Sequence, residues 1–137
     1  RKVGRALGLK EEVFERIPFP GPALSARVIG EATPERIELA RKATAIVERI
    51  LSGTGAFQYM GILHEDRVTG MVDGKREFGR QIEIRCWDSV DARTATPTAL
   101  SFEILAQIAQ EIVGEVPGIV SVTYNITSKP PSCIEAV

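Results

Sequence analysis

Along this chain the spacing of apolar residues changes several times, and each change marks an element. The clearest block opens at Thr33-Pro34-Glu35: a capping residue, a proline suited to the first helical position, and a carboxylate for the positive end of the helix dipole. Ile37, Ala40, Thr44, Val47 and Leu51 then recur at helical spacing, with Glu38, Arg41, Lys42, Glu48 and Arg49 on the other side. Ser52-Gly53-Thr54-Gly55 stops the run. The pattern predicts one amphipathic helix against a sheet face.

Beyond it the period shortens. Phe57 to Leu63 and Arg67 to Val72 read as two strands, with His64-Glu65-Asp66-Arg67 a charged turn between them. Asp73-Gly74 is a tight-turn signal. In the strand from Phe78 to Trp87, Ile82, Ile84 and Cys86 alternate with Glu83, Arg85 and Trp87, so one face is buried and the other is wet or paired with another surface. A polar connection, Ser89 to Pro97, leads to a second helix from about Thr98 to Val113. Its stripe is Ile104, Leu105, Ile108, Ile112 and Val113, and Gly114 is placed to end it. After Pro117-Gly118, a last strand runs from Ile119 to Ile126 with Val120, Val122, Tyr124 and Ile126 on one face. Lys129-Pro130-Pro131 breaks it and leaves Cys133-Ile134-Glu135 as a tail.

The first residues differ in kind. Arg1 to Leu7 reads as a helix closed by Gly8 in the left-handed conformation, and Lys10 to Arg16 as a short helical turn. Ile17-Pro18-Phe19-Pro20-Gly21-Pro22 is a stiff extended arm, because proline lacks a backbone donor and restricts the residue before it. A helix that begins at Arg1 without a cap suggests a piece of something longer. The order is thus arm, helix, strands, helix, strand. It predicts an α+β two-layer sandwich: a small, mainly antiparallel sheet with two helices on one face, in α-β-β-α-β order. A sheet covered on one side only has a bare apolar face, for which a second copy of the chain is the usual remedy.

Composition narrows the chemistry. At 137 residues the chain fits one domain, or one domain with an arm; 44% hydrophobic and 26% charged residues are ordinary for a globular protein. A formal net charge of -1 gives no broad attraction to nucleic acid or an anionic membrane. No apolar run approaches the roughly 20 residues that span a bilayer. Two cysteines, Cys86 and Cys133, point to a reduced, cytoplasmic setting, and with a single His they make a metal site improbable. His64 reads as a solvated turn residue and Cys86 as core. Gly53-Thr54-Gly55 lacks the lysine and following helix of a phosphate loop, so ATP hydrolysis by this chain alone is not expected. The tail is the chemical candidate. Thr127 to Glu135 brings hydroxyls, a cation, a proline pair and a carboxylate within nine residues. The Lys129 ammonium suits a phosphate, and the Glu135 carboxylate, an acceptor only, suits an N–H edge such as that of a purine.

Three segments carry a resemblance. Pro18-Phe19-Pro20-Gly21-Pro22 with Arg27-Val28-Ile29-Gly30-Glu31 is similar to the proline-rich arm of GMP synthetases. Asp73-Gly74-Lys75, Arg85 and Asp91 to Ala95 resemble the family's strand pair and the stretch after it. Glu115-Val116-Pro117-Gly118-Ile119, Lys129-Pro130-Pro131 and Ile134-Glu135 resemble its ending. The chain departs from that ending at Cys133, where the family has Thr, and at Ala136-Val137, where it has Trp-Glu.

The resemblance implies residues 1–32 as helix and arm following an ATP-pyrophosphatase domain, and 33–137 as a C-terminal dimerisation and XMP-binding domain. It implies a ligase that aminates XMP to GMP, inactive as this fragment alone. ATP and Mg would act in the missing domain, with no cofactor in this one, and ammonia would come from a glutamine amidotransferase domain or subunit. Carried over by position, Lys129 would hold the XMP phosphate with support from Arg27, Ile134 and Glu135 would meet the base, and Cys133 would stand in the site where the family has a Thr hydroxyl able to bond phosphate. The alternative is a homodimerisation or metabolite-binding regulatory module that has lost nucleotide binding.

Overall fold

The computed structural model describes residues 2–14 and 24–137. The Pro18–Pro22 arm therefore lies outside the described residues. Two short helices, α1 (Lys2–Ala6) and α2 (Glu11–Phe14), come first, with Gly8 after α1 at φ +67. A 3-10 turn at Leu24–Arg27 follows. Val28 then makes a parallel bridge to Leu63, and Ile29 donates its N–H to Leu63 O at 2.9 Å.

Helix α3 (Pro34–Leu51) forms as its sequence dictates. The Thr33 side chain accepts from Arg36 N–H, and the helix buries Leu39, Ala40, Ala43, Thr44, Ile46, Val47 and Leu51. It sits very close to the first strand, β1 (Gln58–Val72), because Gly61 has no side chain there. A Cβ on Gly61 would lie 3.2 Å from Ala43 Cβ and 3.3 Å from the helix backbone. The Thr44 hydroxyl fills the remaining polar need, donating to Gly61 O and accepting from Gly61 N–H.

Among the described residues the sheet has four strands. β1 pairs antiparallel with β2 (Lys75–Asp88), which pairs antiparallel with the two-residue β3 (Thr96–Pro97) and parallel with β4 (Ile119–Tyr124). Asp73 and Gly74, at φ +48 and +75, make the two-residue turn that positive φ at both positions requires. Between β3 and β4 runs α4 (Phe102–Glu115), capped by the Ser101 hydroxyl, which accepts from Ile104 N–H. Arg49 on α3 reaches Glu111 and Glu115 on α4 and joins the two helices at their exposed edge. The α+β two-layer reading holds: α3, α4 and the Leu63, Ile82, Ile84 and Cys86 face of the sheet share one core.

Several local expectations are corrected. The two strands expected on either side of His64 are a single β1, with a register shift between Leu63 and Arg67 that absorbs the charged residues. His64 is therefore a strand residue and not a solvated turn. α4 continues through Gly114 to Glu115, and β4 stops at Tyr124, leaving Ile126 exposed. Val120 does not join the face of Val122 and Tyr124. It lies where the pairing with β2 shifts, against Gly70 and Gly79, where any Cβ would come within 2.4–2.5 Å of its side chain.

The second sheet face is not bare either. Met60, Ile62 and Trp87 form a smaller core there, roofed by Ile134 of the tail and by Ala95, with Ile29, Phe57 and Ala136 packed around it. Trp87 is completely buried. The apolar face for which a partner was expected is covered, over this part of the sheet, by the chain's own tail.

Candidate functional site

The tail is fixed at two places, once to the connection between β2 and β3 and once to the sheet. At its start, Lys129 pairs with Ala95 through both backbone groups: Lys129 N–H donates to Ala95 O (2.8 Å) and Ala95 N–H to Lys129 O (3.1 Å). At its end, Arg85 of β2 spreads one Nη1 over three consecutive carbonyls, those of Cys133 (2.9 Å), Ile134 (3.3 Å) and Glu135 (2.6 Å). Between these points Ser132 N–H donates to Ser128 O, and both Lys129-Pro130 and Pro130-Pro131 are cis.

Arg85 lies under the tail, 8% exposed, and its charge is answered from below. Its Nε donates to Glu83 Oε1, which also accepts from Asn125 Nδ2 (3.0 Å), while His64 Nε2 lies 2.8 Å from Glu83 Oε2. Burial pushes the Glu83 carboxyl up, but the bonds from Arg85, Asn125 and His64 outweigh it and hold the group below the usual carboxylate range. A buried cation with this many acceptors meets the general rule that buried charges are paired and hydrogen-bonded.

Lys129 faces the loop between β2 and β3, a concave region of about 390 Å³ bordered by Asp91, Thr94, Ser128 and Lys129. Its Nζ donates to Ala92 O at 2.9 Å. The loop is shaped by its own side chains. Asp91 Oδ1 accepts from the N–H groups of Arg93 and Thr94, Ser89 Oγ donates to Thr94 O, and Ala92 takes φ +61. Those backbone N–H groups, with the nearby Lys129 charge, keep the Asp91 carboxyl below its ordinary range. Lys129 is the cation at this concavity, which Asp88 and Asp91 also border.

The candidate residues are thus distributed as follows. Lys129, Cys133, Ile134 and Glu135 sit on one anchored segment. The Ile134 side chain is buried in the second core, so only its main chain is left to meet a ligand. The Glu135 side chain is exposed, as is Cys133, a free thiol. Arg27 is elsewhere. It is 8% exposed and lies beside α3, with Nη1 3.9 Å from Glu48 Oε1; burial lowers its pKa and the Glu48 charge opposes that shift. Its Nε is buried with no hydrogen-bond partner among the described residues.

Sequence reasoning singled out the tail but missed what holds it. Glu83 and Arg85 were legible as the non-apolar side of an alternating strand, and Arg85 as part of a family motif. That this side would be covered by the tail had no signal in spacing alone. Among the described residues, no group of three or more His, Cys, Asp or Glu side chains is placed to hold a metal, and no helix is long and apolar enough to cross a membrane.

Comparison with known proteins shows the family of the chain. A family model described as the GMP synthase C terminal domain matches residues 46–136, more than half of the chain. A GMP synthase [glutamine-hydrolyzing] of Thermomicrobium roseum is 42% identical over 98% of this chain and 26% of its own length, and one of Pyrobaculum aerophilum is 43% identical over 98% and 28%. A protein of Methanothermobacter thermautotrophicus, named as one subunit of that enzyme, is 40% identical over 98% of this chain and 45% of its own length. The chain therefore spans between about a quarter and under half of these relatives. It belongs to the GMP synthase family, as a C-terminal domain of that family.

Proposed function

We propose that this chain is the part of a glutamine-hydrolysing GMP synthase that pairs two subunits and helps hold XMP while another part of the enzyme activates it with ATP and Mg. The observation that carries the reading is the anchored tail. It offers a cation, Lys129, beside the concave Asp91 loop, and an exposed carboxylate, Glu135, a few residues on. A phosphate needs the first, and the N–H edge of a purine base the second. Because one end of the tail is bonded to the β2–β3 connection and the other to the sheet, little conformational entropy remains to be lost on binding. Lys129 would exchange its bond to Ala92 O for a phosphate oxygen, and the Ile134 main chain would line the base. Arg27, set apart beside α3, would act on the phosphate of the other protomer's site.

The division at residues 32 and 33 follows the same reading. Residues 1–32 link to an ATP-pyrophosphatase unit, and 33–137 form the dimer and nucleotide domain. Chemistry in this domain is restricted to binding and orientation. Activation of XMP and delivery of ammonia belong to the ATP-pyrophosphatase unit and to a glutamine amidotransferase, fused or separate. The relatives whose names mark them as single subunits of the enzyme favour a separate amidotransferase in some members. A cytoplasmic setting fits two free cysteines.

Calorimetric titration of the protein carrying this chain with XMP tests the reading. Lys129→Ala and Glu135→Ala are each expected to weaken binding by about tenfold or more, the scale of a hydrogen bond to a charged group. Unchanged affinity in both variants would overturn the site.

A further inference from the structure

Resting on the reading that the tail holds XMP, we propose that Arg85 is a positioning residue for that site, a clamp that sets the path of Cys133, Ile134 and Glu135 without touching the nucleotide. Three observations converge on it. Arg85 donates to three successive backbone carbonyls, an arrangement that fixes the main-chain direction regardless of the side chains above it. Its planar guanidinium is held from the opposite side by Glu83, which is itself held by Asn125 just past the end of β4 and faces His64 at the register shift of β1. Ile134, the middle of the three clamped residues, drops its side chain into the core formed by Met60, Ile62 and Trp87.

The end of the tail is thus held by one polar clamp and one apolar anchor, which fix the two exposed residues on either side of Ile134, Cys133 and Glu135. The arrangement also accounts for the identity of the residue. Lysine would keep a cation opposite Glu83 but would present a single ammonium on a flexible stem, with no second nitrogen to occupy Glu83 while the first spans the carbonyls. Glu83 is equally specific: its two oxygens serve Arg85 and Asn125 on one side and His64 on the other, so the clamp is braced against both β1 and β4.

The test is Arg85→Lys in the protein carrying this chain, read two ways. Hydrogen–deuterium exchange of the peptide from Ser128 to Val137, without nucleotide, should quicken by about tenfold, and the KM for XMP should rise by a similar factor with kcat at saturating XMP within about twofold. In a background lacking residues 133–137 the same substitution should leave the already raised KM unchanged, because the clamp then has nothing to hold. Unaltered tail exchange overturns the proposal, and so does an equal rise in KM with and without the tail. If Arg85→Lys does not fold, Glu83→Gln replaces it. That variant keeps the acceptor for Nε but removes its charge, and tail exchange must still quicken; no change overturns the clamp. Should Lys129→Ala and Glu135→Ala leave XMP affinity intact, the nucleotide reading fails, while tail exchange still decides the clamp by itself.

Discussion

The two halves of the β1–β2 hairpin are made of the same strands and joined by the same turn, yet they live in different surroundings. The inner half, Gln58–Leu63 against Ile82–Trp87, is covered on both faces: α3 and α4 on one, the tail on the other. The outer half, Arg67–Val72 against Lys75–Arg80, reaches past both cores and leaves Met71 67% and Phe78 65% exposed. The register shift between Leu63 and Arg67 separates them. Pairing alone therefore does not define a buried sheet; what lies over each face does. The outer half also forms, with Leu39, Val113 and Val120, the wall of a groove of about 720 Å³. Exposed aromatic and thioether side chains beside a groove that also carries Glu35, Arg67, Asp73, Glu77 and Arg80 give the mixed apolar and charged surface that a contact between two copies would use. We therefore place the proposed dimer contact on this outer half, and not on the sheet face that the tail covers.

Truncating one aromatic in each half separates the two most clearly. Trp87→Ala should cost about 3–5 kcal/mol by urea denaturation, since it empties the centre of the second core. A loss below about 1 kcal/mol there would mean that the tail does not close over the inner half. Next in size is Gly79→Ala. Its Cβ would lie 2.4 Å from Val120 Cγ1 and 2.9 Å from Gly118 O, an overpacking expected to cost about 1–3 kcal/mol. Adding Val120→Ala should recover part of that loss and leave the share due to the Gly118 carbonyl.

A smaller effect distinguishes the halves by pH. The folded-state pKa of Glu83 is depressed, so its contribution is present above the unfolded carboxylate value, about 4.3, and is lost as pH falls through the lower folded value. Glu83→Gln should thus lower the urea midpoint at pH 7 and make it fall less toward pH 3. An identical acid dependence in both proteins would show that Glu83 carries no such contribution. The smallest change is expected from Phe78→Ala, within about 0.5 kcal/mol for the folding of a single chain, because that ring is already in solvent.

How far the sequence anticipated this follows from where its signals are local. Helix α3 was legible from Thr33 to Leu51 because cap, first-turn proline and stripe all lie within one segment. The Asp73-Gly74 turn was equally plain. His64 was misjudged because a run of His, Glu, Asp and Arg looks like a turn, whereas a strand can absorb it through a register shift once Glu83 and Arg36 receive parts of it: His64 Nε2 meets Glu83, and His64 O accepts from Arg36. The cover over the second face was invisible because it joins residues about fifty positions apart, Arg85 with Cys133 to Glu135, and no period links them. Lys129 and Glu135 were found by chemistry and family likeness; the side chains that aim them required the fold.

Sedimentation equilibrium of the 137-residue chain, with and without Phe78→Glu, asks whether one half of the hairpin is finished by its own chain and the other by a second copy. A dimer at micromolar concentration is predicted for the native sequence, and a monomer with unchanged helix and strand content for the variant. A native chain that stays monomeric at high micromolar concentration, or a variant that dimerises as tightly as the native chain, would contradict that division.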